Sequence, residues 1–181
     1  DALIDVVAAK ANGQLVDLHT PIAVDADLTP LRIADREALD VIRHSAAHVM
    51  ADAVQRLFPG TQVTIGPAID SGFYYDFDRP DGPFTDKDLA RIEKEMRRIV
   101  KANTPFFREE LDRDEVRKLF TEMGEHYKVQ IIDGIPPNEA VSLYRHGSPG
   151  RPAGTWVDVC KGPHVPSTKF LRAVKLLGVA G

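Results

Sequence analysis

"VIRHSAAHVMADAVQRLF" (residues 41–58) is the stretch on which the reading of the whole chain turns. Leu39, Ile42, Ala46, Val49, Met50, Ala53 and Leu57 recur at helical spacing and form one apolar stripe. Asp35 is placed to N-cap a helix over about 36–58, which Pro59-Gly60 ends. At about 100° per residue, His44 and His48 fall nearly opposite that stripe and one turn apart. Ala47 and Ala51 flank them, which predicts open space above the two rings. The helix therefore offers two faces, one for a core and one for chemistry.

Upstream, "VVAAKANGQLVDL" sets Asn12-Gly13 between two extended runs, the strongest short hairpin signal because both positions accept positive φ. "DADLTPLRI" adds a turn and a further strand. This piece is too short for a core of its own and reads as the tail of a small β-rich domain ending near Ile33-Ala34. Downstream, "TQVTIGPAIDSGFYYDFD" predicts two strands about an Asp70-Ser71-Gly72 turn, with Phe73, Tyr75 and Phe77 on one face. "FTDKDLARIEKEMRRIVKAN" predicts a helix opened by Thr85 and Asp88 as a capping box, burying Leu89, Ile92, Met96 and Ile99. A short helix follows over about 114–123 and stops at Gly124. "YKVQIID" alternates and is expected to be a strand with Lys128 facing solvent. "AVSLYRHG" and "TWVDVCKG" are expected to be strands as well, the second placing Trp156, Asp158 and Cys160 on one face. Helices and strands are segregated rather than alternating, so the class is α+β, an antiparallel sheet with helices packed on it.

Composition excludes several classes. With 43% hydrophobic and 28% charged residues among 181, the chain is a globular protein and not a disordered one. No apolar run approaches the ~20 residues that cross a bilayer, so no membrane role is expected. A net charge of −4 argues against a free-standing nucleic-acid binder gripping through a broad basic surface. It leaves room for a site that touches only the end of an RNA. One cysteine rules out an intrachain disulfide and fits a reducing cytosol, hence a cytoplasmic location. The chain opens without Met on a stretch unlike a signal peptide and ends without an obvious cap, which suggests a piece of a longer protein.

Cys160 precedes His164 across a Gly-Pro turn, a second pair that can aim inward. Three imidazoles and a thiolate make a plausible tetrahedral zinc set, although the spacing is unlike a zinc finger. Alone, each pair is more readily a solvated histidine or a core cysteine. Together, off the apolar stripe, they favour a site. His19, His126 and His146 have no such partners and read as surface residues.

"RHSAAHVMADAV", "IGPAIDSGFYYDFD", "YKVQIID" and "VDVCKGPHVPST" resemble the N-terminal region of the bacterial threonyl-tRNA synthetase family. The H-x-x-x-H and C-x-x-x-H pairs are shared with alanyl-tRNA editing domains, whereas "GFYYDF" and "CKGPHVP" favour the threonyl branch. The resemblance implies that residues 1–33 are the end of a ubiquitin-like, β-grasp TGS domain and that 34–181 are the editing domain. It implies hydrolysis of serine wrongly esterified to threonine tRNA, with no aminoacylation by this stretch alone. His44, His48, Lys128, Cys160 and His164 would form the catalytic set, with His44 and Lys128 positioning or deprotonating water. Asp158 would anchor the serine, and Tyr75 would pack on the terminal adenosine or order its ribose. No metal is expected for editing; zinc on His44, His48, Cys160 and His164 is the alternative. The rival functions are a structural zinc-binding module or a tRNA-positioning module, neither with hydrolytic activity. The partners implied are the tRNA(Thr) 3′ end carrying serine and the catalytic and anticodon-binding domains of a homodimeric enzyme. ATP, magnesium and a further zinc would belong to that catalytic domain.

Overall fold

The computed structural model describes residues 4–147 and 155–179. The outer ends of the two expected units, residues 1–3 and 180–181, lie outside the described residues. The chain begins with an antiparallel sheet of β1 (Val6–Ala11), β2 (Gln14–Val16) and β3 (Leu28–Arg32) in the order β2-β1-β3. The hairpin forms where Asn-Gly predicts it, with φ of 49° at Asn12 and 82° at Gly13. The Asn12 side chain also accepts the Asp27 N–H at 2.9 Å, tying the turn to the approach to β3.

Helix α1 (Ala38–Leu57) differs from expectation in two ways. Asp35 does not cap it; its carboxylate accepts the Arg32 N–H at 2.6 Å, and Glu37 occupies the cap position. More importantly, every residue from Ser45 to Val54 is buried. The helix is enclosed rather than two-faced, because small residues on its second side let other elements approach. Leu39, assigned to the buried stripe, is exposed instead. Full burial of a side chain such as Val49 or Val54 contributes about 1.5–3 kcal/mol, so this helix anchors the fold.

The segment after α1 pairs twice. β4 (Gln62–Val63) joins β7 (Phe77–Asp78), and β5 (Ala68–Ile69) joins β6 (Gly72–Phe73) about the expected turn. Tyr75 is buried and Tyr74 exposed, as the alternation predicts. α2 (Asp86–Ala102) carries the Thr85–Asp88 capping box and buries Ile92, Met96 and Ile99 against α1. α3 (Arg113–Glu122) is capped by Asp112, and Gly124 follows with φ of 75°.

A second antiparallel sheet of β8 (Phe106–Leu111), β9 (Val141–His146) and β10 (Trp156–Val159) runs in the order β10-β9-β8. The register sets Trp156 against His146 and Asp158 against Tyr144. Those four residues share one face, turned towards α1. Val141, Leu143 and Val157 share the other face and pack on Val116 and Phe120 of α3. The sheet thus has helices on both sides, and the α+β class holds.

"YKVQIID" is a correction. It is helical, within α4 (His126–Gly134), not a strand. Lys128 and Ile132 stand one turn apart and are both buried, a spacing that only a helix provides. In so short an apolar run, alternation and helical period cannot be told apart. Among the described residues no helix is long and apolar enough to cross a membrane.

Candidate active site

The loop after β10 brings Cys160 and His164 over the middle of α1. Cys160 Sγ lies 3.1 Å from His44 Nε2 and 3.4 Å from His164 Nε2, and it accepts the Gly162 N–H at 3.2 Å. The His44 and His164 rings are 4.3 Å apart between centroids, and those of His48 and His164 are 4.2 Å apart. His48 is 2% exposed, so the open space expected above the rings is filled by His164 and Trp156. Only His44 and Cys160 reach solvent in part, which leaves one side for entry.

Hydrogen bonding settles two tautomers. Ser45 Oγ donates to the Val41 carbonyl at 2.8 Å and accepts the Val165 N–H at 3.1 Å. Its one proton is spent, so His164 Nδ1 must donate to it, at 3.0 Å. His164 then turns a bare Nε2 towards Cys160. His44 makes a backbone hydrogen bond with Pro163, which has no N–H and can only accept. Its Nε2 therefore also presents a lone pair to the cluster.

Burial holds the His44 pKa below its usual value against the opposing charge of Asp158 and the Pro163 hydrogen bond. His48 and His164 lie further below, by burial first and by neighbouring imidazoles second. All three rings are neutral bases near pH 7. Burial has the opposite effect on Cys160 and pushes its thiol up to about 12, so it sits there as S–H and is a poor nucleophile.

Beside these rings lies a second group. Lys128 Nζ donates to the Thr64 carbonyl at 2.6 Å and to Tyr75 Oη at 2.9 Å, and it pairs with Asp158 Oδ1 at 2.6 Å. Tyr75 Oη donates in turn to Asp158 Oδ2 at 2.7 Å. The Lys128 contact with Oδ1 is an ion pair without hydrogen-bond angles, so Oδ1 has no hydrogen-bond donor among the described residues. Lys128 is 2% exposed and not solvent-facing as expected. Tyr75 is stacked on Phe77 at 5.1 Å with its ring buried, so in this arrangement no open face awaits an adenosine. A Cβ at Gly66 would stand 2.0 Å from that ring, which is why a glycine occupies the position.

The structure thus brings His44, His48, Lys128, Cys160, His164, Asp158 and Tyr75 into one cluster. The ligand atoms of His44, His48, Cys160 and His164 all lie within 4.8 Å of one another, a donor set that could hold a tetrahedral ion.

Comparison with known proteins follows the same line. A family described as "Threonyl and Alanyl tRNA synthetase second additional domain" matches residues 141–181. A threonine–tRNA ligase of Thiobacillus denitrificans is 56% identical over 97% of the chain. Those of Rhodospirillum rubrum and Wolbachia pipientis are 51% and 48% identical over 97% and 100% of it. The chain matches bacterial threonine–tRNA ligases along its whole length. It spans about a quarter of those relatives, 26%, 26% and 27% of their lengths.

Sequence reasoning missed the residues that stand behind this cluster. His146, read as a surface residue, is 1% exposed and bonds Asp52 Oδ2 at 2.9 Å. Burial would raise the Asp52 carboxyl, but His146 and the bidentate Arg56 outweigh it and hold it low. Trp156 Nε1 donates to Gln55 at 2.7 Å, and Gln55 donates to Glu125 at 2.5 Å. A signal did exist: His44, His48 and Asp52 repeat every fourth residue along α1.

Proposed function

We propose that this chain is the editing unit of a threonine–tRNA ligase and hydrolyses the ester of serine mischarged on tRNA(Thr). The observation that carries the reading is the neutral, partly exposed His44, backed by a buried ammonium and a buried carboxylate in one cluster. In this reading residues 1–33 end a TGS domain and 34–181 form the editing domain. The remaining domains of a cytoplasmic, dimeric ligase supply ATP-dependent, magnesium-dependent charging and most of the grip on tRNA.

His44 Nε2 takes a proton from water as the oxygen attacks the ester carbonyl carbon. The tetrahedral oxyanion collapses, the bond to the ribose oxygen breaks, and the proton on His44 passes to that oxygen. The Lys128 ammonium sits close by as a fixed positive charge that favours the oxyanion. It does not serve as the base, because two of its protons are given to Thr64 and Tyr75 and its charge to Asp158. Asp158, paired with Lys128 through Oδ1, supplies the negative charge that anchors the serine amino group, and Tyr75 holds that carboxylate in place.

Serine and threonine differ by a methyl group, which a pocket resolves by only ~1–3 kcal/mol. A second, smaller site makes up the difference. The His44, His48 and His164 rings press on one another, so no side chain there can yield to a methyl. Single-turnover hydrolysis at saturating protein is expected to be about 10–100 times faster for seryl- than for threonyl-tRNA. His44→Ala should slow the seryl reaction by about 10²–10⁴-fold. Equal rates for the two esters would remove the sieve, and an undiminished His44→Ala rate would remove the base.

We also assign the chemistry to the side chains without a metal. An ion held by His44, His48, Cys160 and His164 would polarise a bound water as a Lewis acid. The neutral His44 ring already supplies a base and the Lys128 ammonium a fixed positive charge, so the hydrolysis as written needs no ion. Purified protein is expected to carry well under one zinc per chain by elemental analysis. Stoichiometric zinc whose chelation abolishes hydrolysis would overturn this assignment.

A further inference from the structure

The N-terminal sheet contributes one polar side chain to the neighbourhood of the cluster. Asp17, the residue after β2, is 5% exposed. Its Oδ1 accepts the His19 N–H and the Thr20 hydroxyl, both at 3.0 Å. Its Oδ2 accepts the hydroxyl of Tyr144 on β9. A carboxylate taken out of water needs such partners, so its direction is specified.

Tyr144 stands at the junction of everything the cluster uses. It is the cross-strand neighbour of Asp158 on the same sheet face. Its ring lies 4.5 Å from that of His164. Its hydroxyl touches the Cys160–His164 loop so closely that a Cβ at Gly162 would stand 2.2 Å from it. Gly162 itself has φ of +73° and donates its N–H to Cys160 Sγ.

We propose that Asp17 and Tyr144 are positioning residues, through which the N-terminal sheet fixes the attitude of His164 and of the Cys160–His164 loop. The two units then act as one hydrolytic device and not as a hydrolase with an attached neighbour. This rests on the deacylase reading, but one of its tests does not. Asp17 fastens the phenol, the phenol bounds the loop from below, and the loop carries two of the side chains around His44.

Four variants test it: Tyr144→Phe, Asp17→Ala, Asp17→Asn and the double variant Asp17→Ala/Tyr144→Phe. All are compared at a temperature where circular dichroism shows them folded. Single-turnover seryl-tRNA hydrolysis is expected to fall about tenfold in Tyr144→Phe and in Asp17→Ala. The protein concentration giving half the maximal rate should stay the same. Asp17→Asn keeps an oxygen acceptor and should retain most of the rate, and the double variant should be no slower than the slower single one. Imidazole NMR resonances of His164 should move in Tyr144→Phe and Asp17→Ala alike, while those of exposed His126 stay fixed. A full rate in Tyr144→Phe, or additive losses in the double variant, would overturn the proposal. Wild-type protein that fails to cleave the ester would remove the deacylase reading, and unmoved His164 resonances would then overturn the positioning role by themselves.

Discussion

Lys128→Ala is expected to destabilise the protein by about 3–5 kcal/mol as well as to stop hydrolysis. The sequence alone suggests a mild change, since a strand lysine facing water can be truncated freely. The structure places its ammonium 2.6 Å from a carboxylate that is 3% exposed. Removing the ammonium leaves the Asp158 charge buried, supported only by Tyr75 and a distant His48 Nε2 at 3.8 Å. The Thr64 carbonyl also loses its donor. Urea unfolding measures the effect directly. Lys128→Ala/Asp158→Asn should recover part of the loss, because the uncompensated charge goes with the second change. A Lys128→Ala unfolding free energy within about 1 kcal/mol of wild type would mean that Asp158 is not held as the structure shows.

Mild acid should weaken the fold well before ordinary acid denaturation begins. His44, His48 and His164 have pKa values below the usual 6.5 because the folded state buries them as neutral rings. The unfolded chain takes up these protons first as pH falls. Stability is therefore full above about pH 6.5 and is lost below it, until the folded-state values are passed. Each imidazole adds a slope of up to about 1.4 kcal/mol per pH unit. Glu125 opposes this further down, since burial raises its carboxyl and its protonation favours the folded state. Asp52 acts in the other direction, with stability lost only as pH drops through a depressed carboxylate range. Urea titrations from pH 8 to pH 5 should show a plateau and then a steep fall. A flat profile across that span would mean that the rings are already protonated or solvated.

What could be read from the sequence depended on whether the signal was local. The Asn12-Gly13 turn, the Thr85–Asp88 cap and the alternation from Phe73 to Phe77 are short-range patterns, and each appears where the residues predict it. Two pairs, each four residues apart, mark the candidate site, and the fold brings them together. The failures were tertiary. Nothing local says that α1 is wrapped on its second side, so the residues alone set His48 against open space. Around Lys128 a short apolar run carries two periods at once, so alternation points to a strand where the chain forms a helix. His146 looked isolated because its partner Asp52 lies on another element and meets it only through packing. The Lys128–Asp158–Tyr75 arrangement joins α4, β10 and the segment before β7, and such a meeting leaves no trace in spacing.

The burial of α1 on every side from Ser45 to Val54 has a kinetic meaning. A helix clamped along so much of its length cannot roll or slide, and rings mounted on it meet each arriving molecule in one attitude. The ordering that a looser cleft would repeat at every turnover is completed once, while the chain folds. In the deacylase proposed above, each cycle would begin from a settled arrangement, and a serine and a threonine ester would differ only in whether they fit it.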